Sequence, residues 1–203
     1  MADDVAGNNG AATATAPSTV RKLEGSEPAE LAGLAAVFED LQYVLRCCEH
    51  LVNALAPPQP DPALVEALWT GALIGYVRCF SGRAGVLTDG DLGRLELDGD
   101  VREFHGMIKK LRDHYASRHV NPRESFTIGA AQGDDGRPTG VAVVSAPRPL
   151  VDDTTVRLLG RVAYALSALV DSRMQETQSR VLAAAGKLSP DKLEKLPLVH
   201  LST

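Results

Sequence analysis

Residues 100–119 read DVREFHGMIKKLRDHYASRH, a stretch in which apolar side chains recur at intervals of three and four. The apolar positions are Val101, Phe104, Ile108, Leu111 and Tyr115. This spacing is typical of an amphipathic α-helix that buries one side and leaves the other in water. Asn121-Pro122 predicts the end of the helix, because a residue before proline avoids the helical region.

The same periodicity predicts two helices before this stretch. The first covers about 28–56 and ends at a run of prolines, which cannot continue a helix. The second opens at Asp61-Pro62, with aspartate as N-cap and proline as the first helical residue, and stops near 81–82. One side of the second helix is expected to carry Leu64, Leu68, Gly71, Ala72 and Gly75. The small residues among these predict a close helical neighbour.

A loop, a hairpin and a long helix complete the pattern. Residues 83–99 are rich in Gly and Asp and predict a long loop, of a length that is often functional or mobile. SFTIGAA and TGVAVVSA flank the turn-rich QGDDGRP, which predicts a β-hairpin at about 125–146. A last long helix begins at Asp152 or Asp153 and becomes polar past Leu169. We therefore expect its end to project or to meet a partner.

Together these elements predict a mainly α fold, a bundle of four to five helices with one inserted hairpin. Residues 1–25 are small and polar without periodicity, and predict a disordered tail. The helical domain is expected to span 28–187. Ser189-Pro190 predicts one short turn within the remainder, 188–203, which we expect to be an untethered tail.

The composition excludes several classes of protein. Apolar residues make up 44% and charged residues 23%, as in a globular protein with a core. A net charge of −5 argues against a general DNA coat or a basic membrane-surface protein. The first residues lack the basic and apolar regions of a signal peptide. No apolar run approaches the roughly 20 residues of a membrane span. We expect a cytoplasmic protein without membrane contact.

The cysteines and the known cofactor motifs suggest neither a metal nor a cofactor. Cys47, Cys48 and Cys79 make a poor disulfide framework and are interpreted as small apolar core residues in a reducing compartment. The sequence has no Gly-rich phosphate loop, no GxSxG, no HExxH and no paired CxxC. We therefore expect no metal ion and no cofactor.

Positive charge concentrates around the helix quoted first. Between Arg102 and Arg123 there are six Lys or Arg residues and three His residues, opposed by Glu103 and Asp113 alone. In an acidic chain this segment is the best candidate for contact with phosphate. The same pattern is also typical of the solvated face of an amphipathic helix.

Within the basic segment, Arg112 and His119 are seven residues apart, so a continuous helix would place both on one side. Arginine offers a planar fork for a phosphate, and histidine titrates near neutral pH. The pair is suited to bind a phosphodiester and to exchange protons with its 2′-hydroxyl or leaving oxygen without a metal. His114, two residues from Arg112, would lie on a different face.

Other candidate residues surround this pair. Asp113 would orient or pair with the basic side chains, or be a plain surface acid. Substrate-binding candidates are Lys109 and Arg118, together with Tyr76 and Arg78 of the GYVRCF stretch on the preceding helix. Tyr76 and Arg78 are expected to face the same groove and to support phosphate or the helix. The alternative is that this tyrosine is packing and this arginine a paired surface charge.

The stretch RDHYASRH, from Arg112 to His119, resembles the signature of HEPN domains: an Arg, a polar residue, and a His with four to six residues between Arg and His. The preceding GYVRCFSG and the following hairpin and long helix are similar to abortive-infection and uncharacterised HEPN-like proteins of bacteria. The resemblance covers about 30–180. It implies a helical homodimer with facing motifs and metal-independent RNA cleavage, as in a toxin or antiphage effector.

The resemblance also implies roles for the residues and leaves alternatives open. His119 would be the general acid and base, Arg112 the phosphate clamp and Asp113 the orienting residue. Many relatives have the His one position earlier, where this chain has Arg118. A chain of this kind also fits a catalytically inactive module that binds RNA, a nucleotide, or a protein partner or neutraliser. A plain dimeric scaffold, with the polar last helix at its interface, is the third alternative.

Overall fold

Helices dominate the computed structural model, which describes residues 19–81, 86–116 and 124–199. These ranges contain six helices and one two-stranded antiparallel sheet. In chain order the elements are α1 (Ser26–Leu55), α2 (Pro62–Arg78), α3 (Asp89–Leu92), α4 (Val101–Tyr115), β1 (Glu124–Gln132), β2 (Pro138–Pro147), α5 (Asp153–Ala185) and α6 (Pro190–Glu194). The mainly α class with one hairpin is confirmed.

Aspartate N-caps begin three of the long helices. Asp61, Asp100 and Asp152 each accept a hydrogen bond from a first-turn backbone amide, at 2.9, 2.9 and 2.8 Å. Each carboxylate thereby satisfies a backbone donor that the helix itself leaves free. Asp152 is therefore the cap of α5, and Asp153 is its first helical residue.

The core lies where α1 packs between α5 and α2, while α4 covers the other side of α2. Fully buried residues from all four helices meet there, including Leu41, Leu51, Leu73, Trp69, Ile108, Leu159 and Leu166. Each such aliphatic side chain contributes roughly 1.5–3 kcal/mol to folding. Cys47, Cys48 and Cys79 are free and buried among these residues, as predicted for core residues.

The contact of α2 with α1 depends on small residues, as predicted. A Cβ atom placed on Gly75 would lie 3.1 Å from Val44 Cγ2 and 3.2 Å from Tyr43 Cδ1. Glycine therefore permits the close approach of the two helices. The predicted side of α2 was wrong at Leu64, which is 49% exposed, because the core side of the first turn is occupied by Val65.

The segment predicted as a long loop at 83–99 contains a short helix instead, in its described part from residue 86. Asp91 accepts hydrogen bonds from the backbone amide and hydroxyl of Thr88 at 2.9 and 3.1 Å, which begins α3. Asp91 and Leu92 are buried, and Arg173 of α5 donates to Asp91 and to the Val86 carbonyl. This segment is anchored to α5.

The chain ends also differ from the prediction. The Lys22 amide donates to the Pro197 carbonyl at 2.8 Å, and the Val199 amide to the Val20 carbonyl at 2.9 Å. The prediction of an untethered carboxyl-terminal tail is therefore wrong for these residues. The pairing could not be foreseen, because backbone hydrogen bonds leave no pattern of side chains in the sequence. The other predicted tail residues, 1–18 and 200–203, lie outside the described part.

The polar end of α5 packs against α1 within the same chain. Arg180 Nη2 donates to both carboxylate oxygens of Glu30 at 2.9 Å, and Thr177 beside it is buried. This end was expected to project or to meet a partner, but ion pairs attach it to α1. None of the helices within the described ranges is long and apolar enough to cross a lipid bilayer.

Candidate functional site

The apolar stripe of α4 packs as predicted and fixes which residues reach the surface. Val101, Phe104 and Ile108 are buried, and the last two stripe residues are partly buried. The helix ends at Tyr115, because Ala116 leaves the helical region with φ −90° and ψ 2°. It was expected to continue to about His119. Helix geometry therefore does not relate His119 to Arg112, and Arg118 and His119 both lie outside the described residues.

Arg112 lies in the last turn of α4, where its guanidinium forms one ion pair. Its Nη1 is 3.3 Å from Asp113 Oδ1, and the side chains are 38% and 67% exposed. Its Nε is buried and finds no hydrogen-bond acceptor in the described part of the chain. Asp113 therefore pairs with Arg112, one of the two roles considered for it, and the side chain of Arg112 remains partly exposed.

The exposed side of the last two turns of α4 carries most of its positive charge. Lys109 and Lys110 are exposed, and Arg112 is partly exposed. We call these three residues the basic ridge. Cations at a helix carboxyl end also interact favourably with the helix dipole. The ridge is a surface on which a phosphate backbone can lie.

An apolar pocket of about 230 Å³ lies between α2, the end of α4 and the base of the hairpin. Trp69 and Tyr115 form part of its wall, with Glu66, Glu124 and Arg148 around them. Burial, and next the Glu66 carboxylate, raise the pKa of Tyr115, so its hydroxyl stays protonated. The pocket has the size and the aromatic walls to take a planar ring.

Tyr76 lies in the core and contacts α4 rather than a ligand. Its hydroxyl is 3.0 Å from His105 Nδ1, and both residues are buried. Burial raises the pKa of Tyr76. The protonated hydroxyl donates to Nδ1 when neutral His105 carries its proton on Nε2. The expectation that Tyr76 binds substrate is wrong, because no ligand reaches the hydroxyl; it holds α4 against α2.

Arg78 contacts α1 on another side of α2. Its Nε donates to Asp40 Oδ2 at 2.8 Å, and Nη2 donates to the other oxygen of the same carboxylate. Hydrogen bonding to Asp40 raises the pKa of Arg78. The expectation that Tyr76 and Arg78 face one groove is wrong, because residues two apart on a helix lie on different sides. Arg78 is the paired charge of the alternative interpretation.

His105 predicts a loss of stability in mild acid. Burial, and to a lesser extent Lys109, lower the pKa of His105, although Asp89 Oδ1 lies 3.4 Å from Nε2 and opposes this. The unfolded chain takes up this proton near pH 6.5, and the folded chain only at lower pH. His105 should therefore not reduce the free energy of unfolding above about pH 6.5, and this free energy should decrease as the pH falls below that value. Urea unfolding at several pH values measures this decrease.

The matched control for this prediction is on the same helix. His105→Gln keeps an acceptor for the Tyr76 hydroxyl and removes the titration, so the decrease should become smaller. His114→Gln, at a partly exposed position, should retain it. An unchanged decrease in the His105 variant would contradict the assignment.

Comparison with known proteins does not identify the site. No protein-family model, curated protein or solved structure matches the chain. Across 19–81, 86–116 and 124–199, no group of three or more His, Cys, Asp or Glu side chains is placed to hold a metal ion. The candidate site consists of the basic ridge and the adjacent pocket. The sequence predicted the ridge, but the pocket depends on how the hairpin base meets α2.

Proposed function

We propose that this chain is a HEPN-like protein that cleaves RNA without a metal at the carboxyl end of α4. Arg112 supports the proposal most strongly, since it is a partly exposed cation in the last turn of α4, close in sequence to the exposed Lys109 and Lys110. Such a guanidinium can bind two oxygens of a phosphodiester. As a HEPN-like protein it would act in the cytoplasm as a homodimer, in the role of a toxin or antiphage effector.

The proposed reaction uses two side chains for charge and proton transfer. Arg112 binds the nonbridging oxygens of the phosphodiester, whose negative charge increases in the transition state. His119 accepts the proton of the ribose 2′-hydroxyl, which attacks the phosphorus, and a proton returned to the 5′ oxygen releases the second fragment. Asp113 orients Arg112 by its ion pair. The products carry a 2′,3′-cyclic phosphate and a 5′-hydroxyl.

The surroundings of Arg112 support a single-stranded substrate. Lys109 and Lys110 extend the positive surface along α4 toward its amino end, so neighbouring phosphates can follow the basic ridge. The apolar pocket beside Tyr115 can accept an unstacked base, a common feature of single-strand recognition. Residues 117–123, which include His119, connect the end of α4 to Glu124 at the pocket wall.

The decisive experiment is RNA cleavage in the presence of a chelator. The purified chain should cut labelled single-stranded RNA in EDTA and leave 5′-hydroxyl ends. His119→Ala should slow cleavage by roughly 100-fold or more, the usual loss for a general acid and base. His114→Ala is the matched control and should cleave like the parent. Equal cleavage by the parent and the His119 variant, or complete inhibition by EDTA, would refute this mechanism.

A second candidate function is RNA binding without cleavage. The basic ridge favours it, because Lys109 and Lys110 are exposed and attract phosphate without any histidine. Arg118, at the position where many HEPN relatives have their His, is consistent with a protein that binds and does not cut. The assay distinguishes the two functions, since a binder would retain RNA in a salt-dependent manner and form no product.

A further inference from the structure

The β1–β2 hairpin is exposed along nearly its whole length. Its residues 125–132 and 138–147 include no charged side chain. Within the two strands, only Glu124, Ala131 and Ala142 are partly buried. The strands pair in a regular antiparallel register up to Ala131, where one irregularity precedes the turn. A two-stranded hairpin is marginally stable by itself in water, so this one is expected to need a further contact.

The register divides the hairpin into two unlike faces. Ile128 is opposite Val143, Phe126 is opposite Ser145, and Ala130 is opposite Val141. Directly opposed residues share a face, and alternate residues along each strand return to it. We call this side the apolar hairpin face; its apolar side chains away from the base are Phe126, Ile128, Ala130, Val141 and Val143. Ser145 lies among them, and Glu124 and Pro147 lie on the same side at the base of the hairpin. The opposite side carries mostly small or hydroxyl residues, with Val144 as its large apolar side chain.

The apolar hairpin face leaves a large apolar area in water. Phe126, Ile128, Val141 and Val143 are 56%, 65%, 76% and 66% exposed. Their exposed surface is on the order of 400 Å², which is in the range of patches that mark protein–protein contacts. Nothing within the described ranges covers it. Burial of this area would also stabilise the strands.

The chemistry of this face fits a second copy of the same chain. Each chain carries a net charge of −5, so two copies repel each other overall. The five apolar side chains of this face carry no charge, and Glu124 lies at its base, so two copies can meet around Ile128 and Val143 without placing like charges in contact. A two-fold axis through the Ile128–Val143 pair would place the same patch on both sides. With the flanking backbone, the two faces would bury about 1,000 Å², near the lower limit for a specific interface.

We propose that the apolar hairpin face is a homodimer interface, in which two hairpins pack face to face at the spacing of stacked sheets, about 10 Å. This contact assigns a surface to the homodimer proposed above and does not depend on whether the chain cleaves RNA. The proposed interface is tested by the molar mass of the chain in solution. This measurement gives the same result whether or not the chain cleaves RNA. Sedimentation equilibrium of the full chain at micromolar concentrations should give the mass of a dimer.

Charged substitutions on the two faces test the proposal. Val143→Glu places two carboxylates against each other at the centre of the contact, and should raise the dimer dissociation constant by roughly 100-fold or more. Val144→Glu is the matched control on the opposite face of the same strand, and should remain dimeric. Circular dichroism shows whether both variants keep the helical signal. A monomeric parent, or equal dissociation constants for the two variants, would overturn the proposal.

A charge exchange distinguishes self-association from a different partner and from misfolding. Val143→Lys alone should also be monomeric. An equimolar mixture of the Val143→Glu and Val143→Lys chains should form a mixed dimer, because opposite charges now meet across the axis. Restoration of the dimer excludes misfolding as the reason for dissociation. If the mixture stays monomeric while both single variants are folded, the two hairpins do not face each other and the proposal is overturned.

Discussion

Alanine at Arg112 is expected to lower RNA cleavage by about 100-fold, the usual cost of removing one preorganised donor from a transition-state anion. The same substitution should leave the free energy of unfolding unchanged or slightly increased. The reason is that Arg112 Nε is buried without an acceptor in the described residues, so its removal deletes an unsatisfied donor. Its ion pair with Asp113 is exposed and contributes little to folding.

Two further variants separate charge from geometry at Arg112. Arg112→Lys keeps the charge but loses the planar fork, so cleavage should fall between that of the parent and the alanine variant. Arg102→Ala removes an exposed arginine from the amino end of the same helix and should leave the rate within about twofold of the parent. Full activity of Arg112→Ala would exclude Arg112 as the phosphate clamp. A large loss of stability would identify it as a structural residue instead.

The helices were predictable because their signals are local. The stripe of α4 repeats at three and four residues, and the aspartates before α2, α4 and α5 can each satisfy only the amides of the turn that follows. The hairpin was predictable for the same reason, since two β-rich runs flank a turn. In each case, a few neighbouring residues determine the element.

The contacts that were missed join residues far apart in sequence. Tyr76 lies against His105, and Arg173 against Asp91, and neither pairing leaves a periodic pattern. The short α3 was missed because its capping box is embedded in a Gly- and Asp-rich stretch that is typical of a loop. The two ends of the described chain pair through backbone groups. Because every residue has similar backbone groups, the sequence does not indicate this pairing.

The candidate site was predictable only in part, for a related reason. The basic ridge follows from one helix, so its residues could be named from the sequence. The relation between Arg112 and His119 assumed that this helix continues, but Ala116 leaves the helical conformation after Tyr115. The pocket beside Tyr115 is formed by three separate elements and could not be read from one periodicity.

Replacement of Arg173 by methionine is expected to lower the free energy of unfolding by about 3 kcal/mol, because it removes the closer of the two cations beside a buried carboxylate. Arg94, at 3.8 Å from Asp91 Oδ1 and largely exposed, replaces little of this interaction. Asp91 is 5% exposed, and Arg173 donates to Asp91 and, at 2.6 Å, to the Val86 carbonyl. Burial alone would raise the pKa of Asp91, but hydrogen bonds from Arg173 and Thr88 outweigh it and lower the pKa. The stabilisation by the Asp91 carboxylate is therefore present above the pKa of an aspartate in the unfolded chain, near 4. It is lost as the pH falls through the lower pKa of Asp91 in the folded chain.

Arg180→Met is the control on the same helix, and its outcome decides whether burial or charge stabilises the fold. Arg180 contacts Glu30 at 2.9 Å, but both side chains are about half exposed, so the loss should stay below about 1 kcal/mol. Urea unfolding near neutral pH measures both variants. If the two losses are equal, the Asp91 contact is no stronger than a surface ion pair. A larger loss for Arg173→Met means that α5 holds the segment between α2 and α4, and with it the position at which α4 presents the basic ridge.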